Sequence, residues 1–215
     1  MRDRSRGAGR AVFLVAVMLL SVVAMGVGFA GSAAANHGSN VIVVDDDFTT
    51  TNATHKTSIQ DAVDNVTPGD TITVRSGTYR EQVVVTNASN LTLSGQGDST
   101  VIESPDRGNL DTVGTRDVRS PFAVLGSSNV SVTDLRVEGR NQGKSGQEFY
   151  GVYINNSSTS ITTISVINTT EVTGNAPGST PSGNQDTDGI RVEHSDGVDR
   201  RVVIDNVTVE EFDKN

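Results

Sequence analysis

Cysteine and tryptophan are absent from this 215-residue chain, and aromatic residues make up only 4% of it. Without cysteine there is no thiol catalysis, no cysteine-ligated zinc and no iron–sulfur cluster, and the core must hold without disulfides. Lysine is nearly absent too, with only Lys56, Lys144 and Lys214. Against 17 basic residues stand 26 acidic ones, a net charge of −9, so no basic stripe is available to neutralise phosphates and nucleic acid is excluded as a partner. Long apolar runs are missing except near the N-terminus.

That one run predicts a signal peptide over residues 1–35. Arg2, Arg4, Arg6 and Arg10 form a basic n-region, Ala11 to Ala30 is almost entirely apolar or small, and Ser32-Ala33-Ala34-Ala35 offers an A-x-A cleavage site before Asn36. The run is also long enough to span a bilayer, so an uncleaved anchor is the alternative. Arg2 and Arg4 are not adjacent, so there is no twin-arginine pair. Cleavage removes four Arg and one Asp and leaves 13 basic against 25 acidic residues, a net of −12. Acidity with few lysines and aromatics resembles the surface chemistry of proteins from extreme halophiles. The remaining 36–215, about 180 residues, are enough for one stable domain.

From Thr57 to Glu103 one helix signal is followed by short β-branched strands. Thr57 and Gln60 have capping-box spacing, Ile59, Ala62, Val63 and Val66 make one apolar stripe, and Pro68-Gly69 ends the helix. Thr71–Val74, Val83–Val85, Leu91–Leu93 and Val101–Ile102 follow, each bounded by Gly, Asn, Ser or Asp. Three later blocks repeat a strand, a turn and a strand pair; aligned on Leu135, Ile164 and Val207 they are 29 and 43 residues apart, a solenoid-range repeat with insertions. An Asn-apolar-Ser/Thr-apolar unit recurs at Asn90, Asn129 and Asn206. Two larger loops, Glu103 to Ser120 and Glu171 to Thr187, would leave the coil at its side, where binding usually sits.

Val41-Ile42-Val43-Val44-Asp45-Asp46, Ser58-Ile59-Gln60-Asp61-Ala62-Val63, Pro68-Gly69-Asp70-Thr71-Ile72 and Gly77-Thr78-Tyr79-Arg80-Glu81 resemble the N-terminal region of the pectin-lyase-like superfamily. The resemblance implies an all-β fold, a right-handed parallel β-helix solenoid over 36–215 with a short N-terminal capping helix. It implies that the stripe at Ile59, Ala62, Val63 and Val66 covers the first coil and that Gly77-Thr78-Tyr79 turns into the next. The superfamily hosts pectate lyases, polygalacturonases, pectin methylesterases and non-catalytic surface proteins, so fold does not settle function. Gly77-Thr78-Tyr79-x-Glu81 is shared with the esterases and is read as structural; their Gln-Ala-Val-Ala and Asp-Phe-x-Phe-Gly segments have no counterpart.

Asp186-Thr187-Asp188-Gly189-Ile190 resembles the Asn-Thr-Asp-Gly segment of polygalacturonases, which makes Asp188 the candidate catalytic acid or base. An inverting hydrolase needs a second carboxylate about 6.5–9.5 Å away, and the polygalacturonases supply it on later coils. Asp-Gly-Ile-x-Val is equally an ordinary turn into a strand. No cofactor is required by any motif; Asp45-Asp46-Asp47, or Asp186 and Asp188 with Glu193, are the places for calcium, against a plain solvated acidic face. His55 and His194 form no recognisable pair. Asn52, Asn65, Asn87, Asn90, Asn129, Asn155, Asn156, Asn168 and Asn206 satisfy N-x-S/T and are glycosylation candidates, although turn-forming Asn before strand-forming Thr generates the same motif.

These residues point to an exported β-helix protein of the cell surface or exterior, with a carbohydrate-binding or structural role and no complete active site. The alternatives are a polysaccharide-active enzyme, polygalacturonase-like or lyase-like, and an adhesion or assembly module. Nothing after Val202–Phe212 reads as a polar cap, which predicts that the coil continues past Asn215 and that 36–215 alone associates end to end.

Overall fold

The computed structural model describes residues 40–114, 117–143, 147–169 and 187–212. The expected leader, Asp186 and most of the Glu171 to Thr187 loop lie outside the described residues. Strands stack in three parallel rows. Row one holds β1 (Val41–Val44), β3 (Thr71–Val74), β6 (Thr92–Ser94), the first half of β11 (Val130–Glu138), the first half of β13 (Thr159–Ile167) and β15 (Val202–Asp205). In row two, β4 (Gly77–Arg80), β7 (Thr100–Glu103), the second halves of β11 and β13, and β16 (Thr208–Val209) lie side by side. Row three is β5 (Val83–Thr86), β10 (Phe122–Leu125), β12 (Glu148–Asn155) and β14 (Thr187–Glu193). Each circuit passes through the three rows and returns one strand spacing further along the axis, about 4.8 Å. With the crossover hand that parallel strands obey, this is a right-handed parallel β-helix.

Alternation along each short strand puts one set of side chains inside. Ile42, Val44, Ile72, Val74, Leu93, Val132, Val137, Ile161 and Val166 from rows one and two meet Val83, Val85, Phe122, Val124, Val152 and Ile154 from row three in one dry core. Each such burial is worth about 1.5–3 kcal/mol against exposure. The bends between rows are set by residues in left-handed backbone, most of them Asn or Asp, which tolerate it. Asp134, Thr163 and Asn206 take φ of 56, 54 and 51° where row one turns into row two, whereas Asn90 and Asn129 take 53° at the corner leading into row one. The recurring Asn unit of the sequence therefore mixes two different corners, because both demand positive φ, which Asn tolerates.

The corner after row three is closed by a serine ladder. Ala88 N donates to Ser127 Oγ at 3.0 Å and Ser127 N to Ser157 Oγ at 3.0 Å, so backbone donors that the bend leaves over are satisfied inside the coil. Outside it, Asn129 Nδ2 donates to Asn90 Oδ1 at 2.8 Å.

A helix, α1 (Ile59–Val63), lies against β1, β3 and β5 and buries Ile59, Ala62 and Val63 as the stripe requires. Its cap differs from the expected Thr57/Gln60 box. Ser58 is the N-cap, accepting from Asp61 N at 3.2 Å, and the carboxylate of Glu81 accepts from Ile59 N at 2.8 Å, Gln60 N at 2.9 Å and Ser58 Oγ at 2.6 Å. A charged acceptor delivered from the next coil outcompetes a neutral amide at the helix N-terminus. Gln60 is freed to pair with β5, accepting from Val84 N at 2.6 Å and donating to Val84 O at 3.3 Å. Gly77–Tyr79, expected as a turn, is strand β4, with Tyr79 buried and its hydroxyl donating to Arg75 O at 3.1 Å. The two-residue strand β2 (His55–Lys56) adds a parallel edge beside β1.

Candidate functional site

Row three has an outer face as well as an inner one, and the first large loop folds onto it. Within the loop, β8 (Thr112–Val113) and β9 (Val118–Arg119) form an antiparallel pair, and β9 docks beside β12. Arg80 and Arg140 both reach Asp106, at 2.6 and 3.1 Å, and Gln82 donates to Asp111 O and Ser120 O at 2.9 Å each. Arg107 donates to Gln142 O and Gln147 Oε1. So anchored, the loop lays Val113 and Val118 over Ala123, Tyr150 and Tyr153, a second apolar cluster outside the coil.

Register then brings the chemistry together. Asp188 lies beside Tyr150, Arg191 beside Tyr153 and Glu193 beside Asn155 on neighbouring strands β14 and β12. Arg191 Nη1 reaches Asp188 Oδ2 at 3.3 Å and Arg191 Nε reaches Glu193 Oε1 at 3.1 Å. Tyr153 donates its hydroxyl to Glu193 Oε2 at 3.0 Å and receives from Asn155 Nδ2 at 2.7 Å. The guanidinium sits 5.7 Å from the Tyr150 ring centroid, and the two tyrosine rings lie 5.7 Å apart. Burial, and then the negative charge of Glu148, push the Tyr150 phenol far above its ordinary pKa. Burial works against the charge on Arg191, but Tyr150, Glu193 and Asp188 more than offset it and raise its pKa.

Asp188 is the catalytic candidate of the sequence, whereas the basic arginine that a lyase would need can only be guessed there among Arg191, Arg200 and Arg201. Tyr150 and Tyr153 carried no signal as a site and Asn155 only that of a sequon, because their neighbourhood exists only once β12 and β14 are in register. In the structure Asp188 is buried and faces a cation, and that same cation holds Glu193. The arrangement differs from a hydrolase pair, in which water stands between two carboxyl groups. Gly189, the glycine of the polygalacturonase-like motif, has a packing reason of its own: a Cβ there would overlap Val209 from the opposite row. The glycine-tyrosine-glutamate motif likewise resolves into structural roles, with a Cβ on Gly77 overlapping the carboxylate of Asp46 and Glu81 capping α1.

For calcium, Arg191 occupies the position between Asp188 and Glu193 that a cation would need. The carboxylates of Asp45, Asp46 and Asp47 converge within 4.8 Å, yet Arg75 neutralises Asp45 at 3.0 Å and Asp45 Oδ1 accepts from Asp47 N. His55 serves the β2 turn, where Asn52 Oδ1 accepts its backbone N–H at 3.0 Å. Arg200 is held by Asp196 at 2.6 Å. No helix among the described residues is long and apolar enough to cross a membrane.

No protein-family profile matches the sequence, and no curated protein matches it. Solved structures do. A pectin methylesterase in complex with a hexasaccharide is 18% identical with a TM-score of 0.47, over 78% of this chain and 54% of that one. The pectin methylesterase PemA from Erwinia chrysanthemi is 19% identical with a TM-score of 0.45, over 78% and 52%. That from Aspergillus niger is 19% identical with a TM-score of 0.39, over 79% and 76%. The chain spans about half the length of the first two, and at such identities its chemistry has to be read from its own residues.

Proposed function

We propose that this chain is an exported, acidic β-helix protein of the cell exterior that binds neutral polysaccharide on the outer face of row three without cleaving it. The observation that carries the reading is the Arg191 bridge. A guanidinium fixed between Asp188 and Glu193, with Tyr153 and Asn155 bonded alongside, presents oriented acceptors and donors for sugar hydroxyls. It also neutralises the carboxylates that acid–base hydrolysis would use. The net charge of −12 on residues 36–215 repels polyanionic glycans, which selects neutral ones. Export rests on the basic n-region, the apolar run and the Ala33-x-Ala35 site.

Affinity electrophoresis through gels cast with neutral glucan, galactan or polygalacturonate tests the proposal. Retardation is expected in at least one neutral gel and none in polygalacturonate, with the retardation lost in Arg191→Ala. Equal migration in every gel would refute binding. A second reading, an assembly module, is favoured by Val192 and Ile204, which are 38% and 48% exposed on β14 and β15.

A further inference from the structure

We infer that, among the nine sequons, Asn87 is a glycan attachment site and that its first sugar lies in the groove beside it. The inference rests on the export reading, since the transferase acts outside the cytoplasm. The fold sorts the sequons by what their side-chain amides already do. Asn65 Nδ2 donates to Asp61 O at 2.7 Å, Asn129 to Asn90 at 2.8 Å, Asn155 to Tyr153 at 2.7 Å and Asn168 to Glu138 at 3.1 Å. Asn156 and Asn206 donate to Ser195 and Thr163 at 3.4 and 3.5 Å. Asn52 is drawn into its own turn, its Oδ1 accepting from Thr54 and His55, and the Asn90 carbonyl is held by Asn129.

Asn87 differs. It is exposed at the corner after β5, with a φ of 54°, and while its backbone N–H donates to Leu125 O at 3.0 Å, its side-chain amide has no hydrogen-bond partner among the described residues. It opens onto a groove of about 470 Å³ between α1 and β5. Val63, Val66 and Pro68 line the groove together with Asp64 and Thr67. That mixture suits a pyranose, which has apolar C–H faces and a hydroxyl rim. Attachment forms the Nδ2–C1 bond and breaks the C1–O bond of a glycosyl phosphate or pyrophosphate donor. The phosphate leaves with the bonding pair, and one amide proton passes to the transferase.

The test is glycopeptide mapping of the exported full chain from a host that N-glycosylates exported proteins, reading the N-terminus in the same spectra. A glycan is expected on Asn87 in chains beginning near Asn36, lost in both Asn87→Gln and Ser89→Ala, with Asn65, Asn129, Asn155 and Asn168 bare. Endoglycosidase should release it from unfolded but not from native protein. A bare Asn87 in chains beginning near Asn36 overturns the site, and equal release from native and unfolded protein overturns the groove. Recovery only of chains retaining Met1 overturns the export on which the proposal rests, and the proposal with it.

Discussion

Asp70 is buried just after α1, and its carboxylate accepts from Thr67 N at 2.7 Å, Thr67 Oγ1 at 2.9 Å and Asn40 N at 2.8 Å. Burial alone would raise its pKa, but the bonds from Thr67 and Asn40 outweigh it and leave the pKa below the ordinary carboxylate value. Because the folded pKa is the lower one, the stabilisation is fully present above the unfolded pKa and is lost as pH falls through the folded value. Asp70→Asn should destabilise by about 1–3 kcal/mol at pH 7 and by progressively less under acid, read from urea midpoints across pH. A pH-independent difference would contradict the bonding. Gly151 illustrates the opposite constraint, space: a Cβ there would overlap Val166 and the backbone of Gly189. Gly151→Ala should cost about 1–3 kcal/mol through overpacking, seen as a lower melting midpoint.

Elements show which parts of the sequence were legible. Strands with apolar alternation declared themselves, and Leu135, Ile164 and Val207 align as the spacing proposed, since Leu135 pairs with Ile164 and Ser165 with Thr208. The hairpin within 103–120 stayed hidden, because β8 and β9 are two residues each and owe their existence to docking on Tyr150 and Tyr153 rather than to local pattern. Capping was visible as a helix start but not in its partner, since Glu81 lies 22 residues from Ile59 and meets it only after one circuit of the coil. Glu81→Gln should therefore weaken α1 and the first coil together by about 1–2 kcal/mol. Hydrogen exchange would show faster amides at Ile59 and Gln60 alongside a lower denaturant midpoint, and unchanged exchange there would contradict the cap. Ala62→Asp should cost several kcal/mol by placing an unpaired charge against the core, because Ala62 is fully buried.

For the whole molecule, charge and the site meet. With a net of −12 on residues 36–215, self-repulsion falls as salt screens it, so the melting midpoint should rise between low and molar sodium chloride; a flat response would count against a halophile-type surface. The proposed rejection of polyanions rests on the same field, and the proposed binding without cleavage rests on the Arg191 bridge. Of this site the sequence named Asp188 and Glu193, which share strand β14 with Arg191; Tyr150, Tyr153 and Asn155 sit on β12, which only the coil brings beside them. The most direct measurement is reducing-sugar release during prolonged incubation of the wild-type chain and Asp188→Asn with each retarding polysaccharide and with polygalacturonate. The account predicts no release above the buffer rate from either protein, while the wild type still binds the neutral polymer. Sustained release by the wild type that is abolished in Asp188→Asn would contradict it.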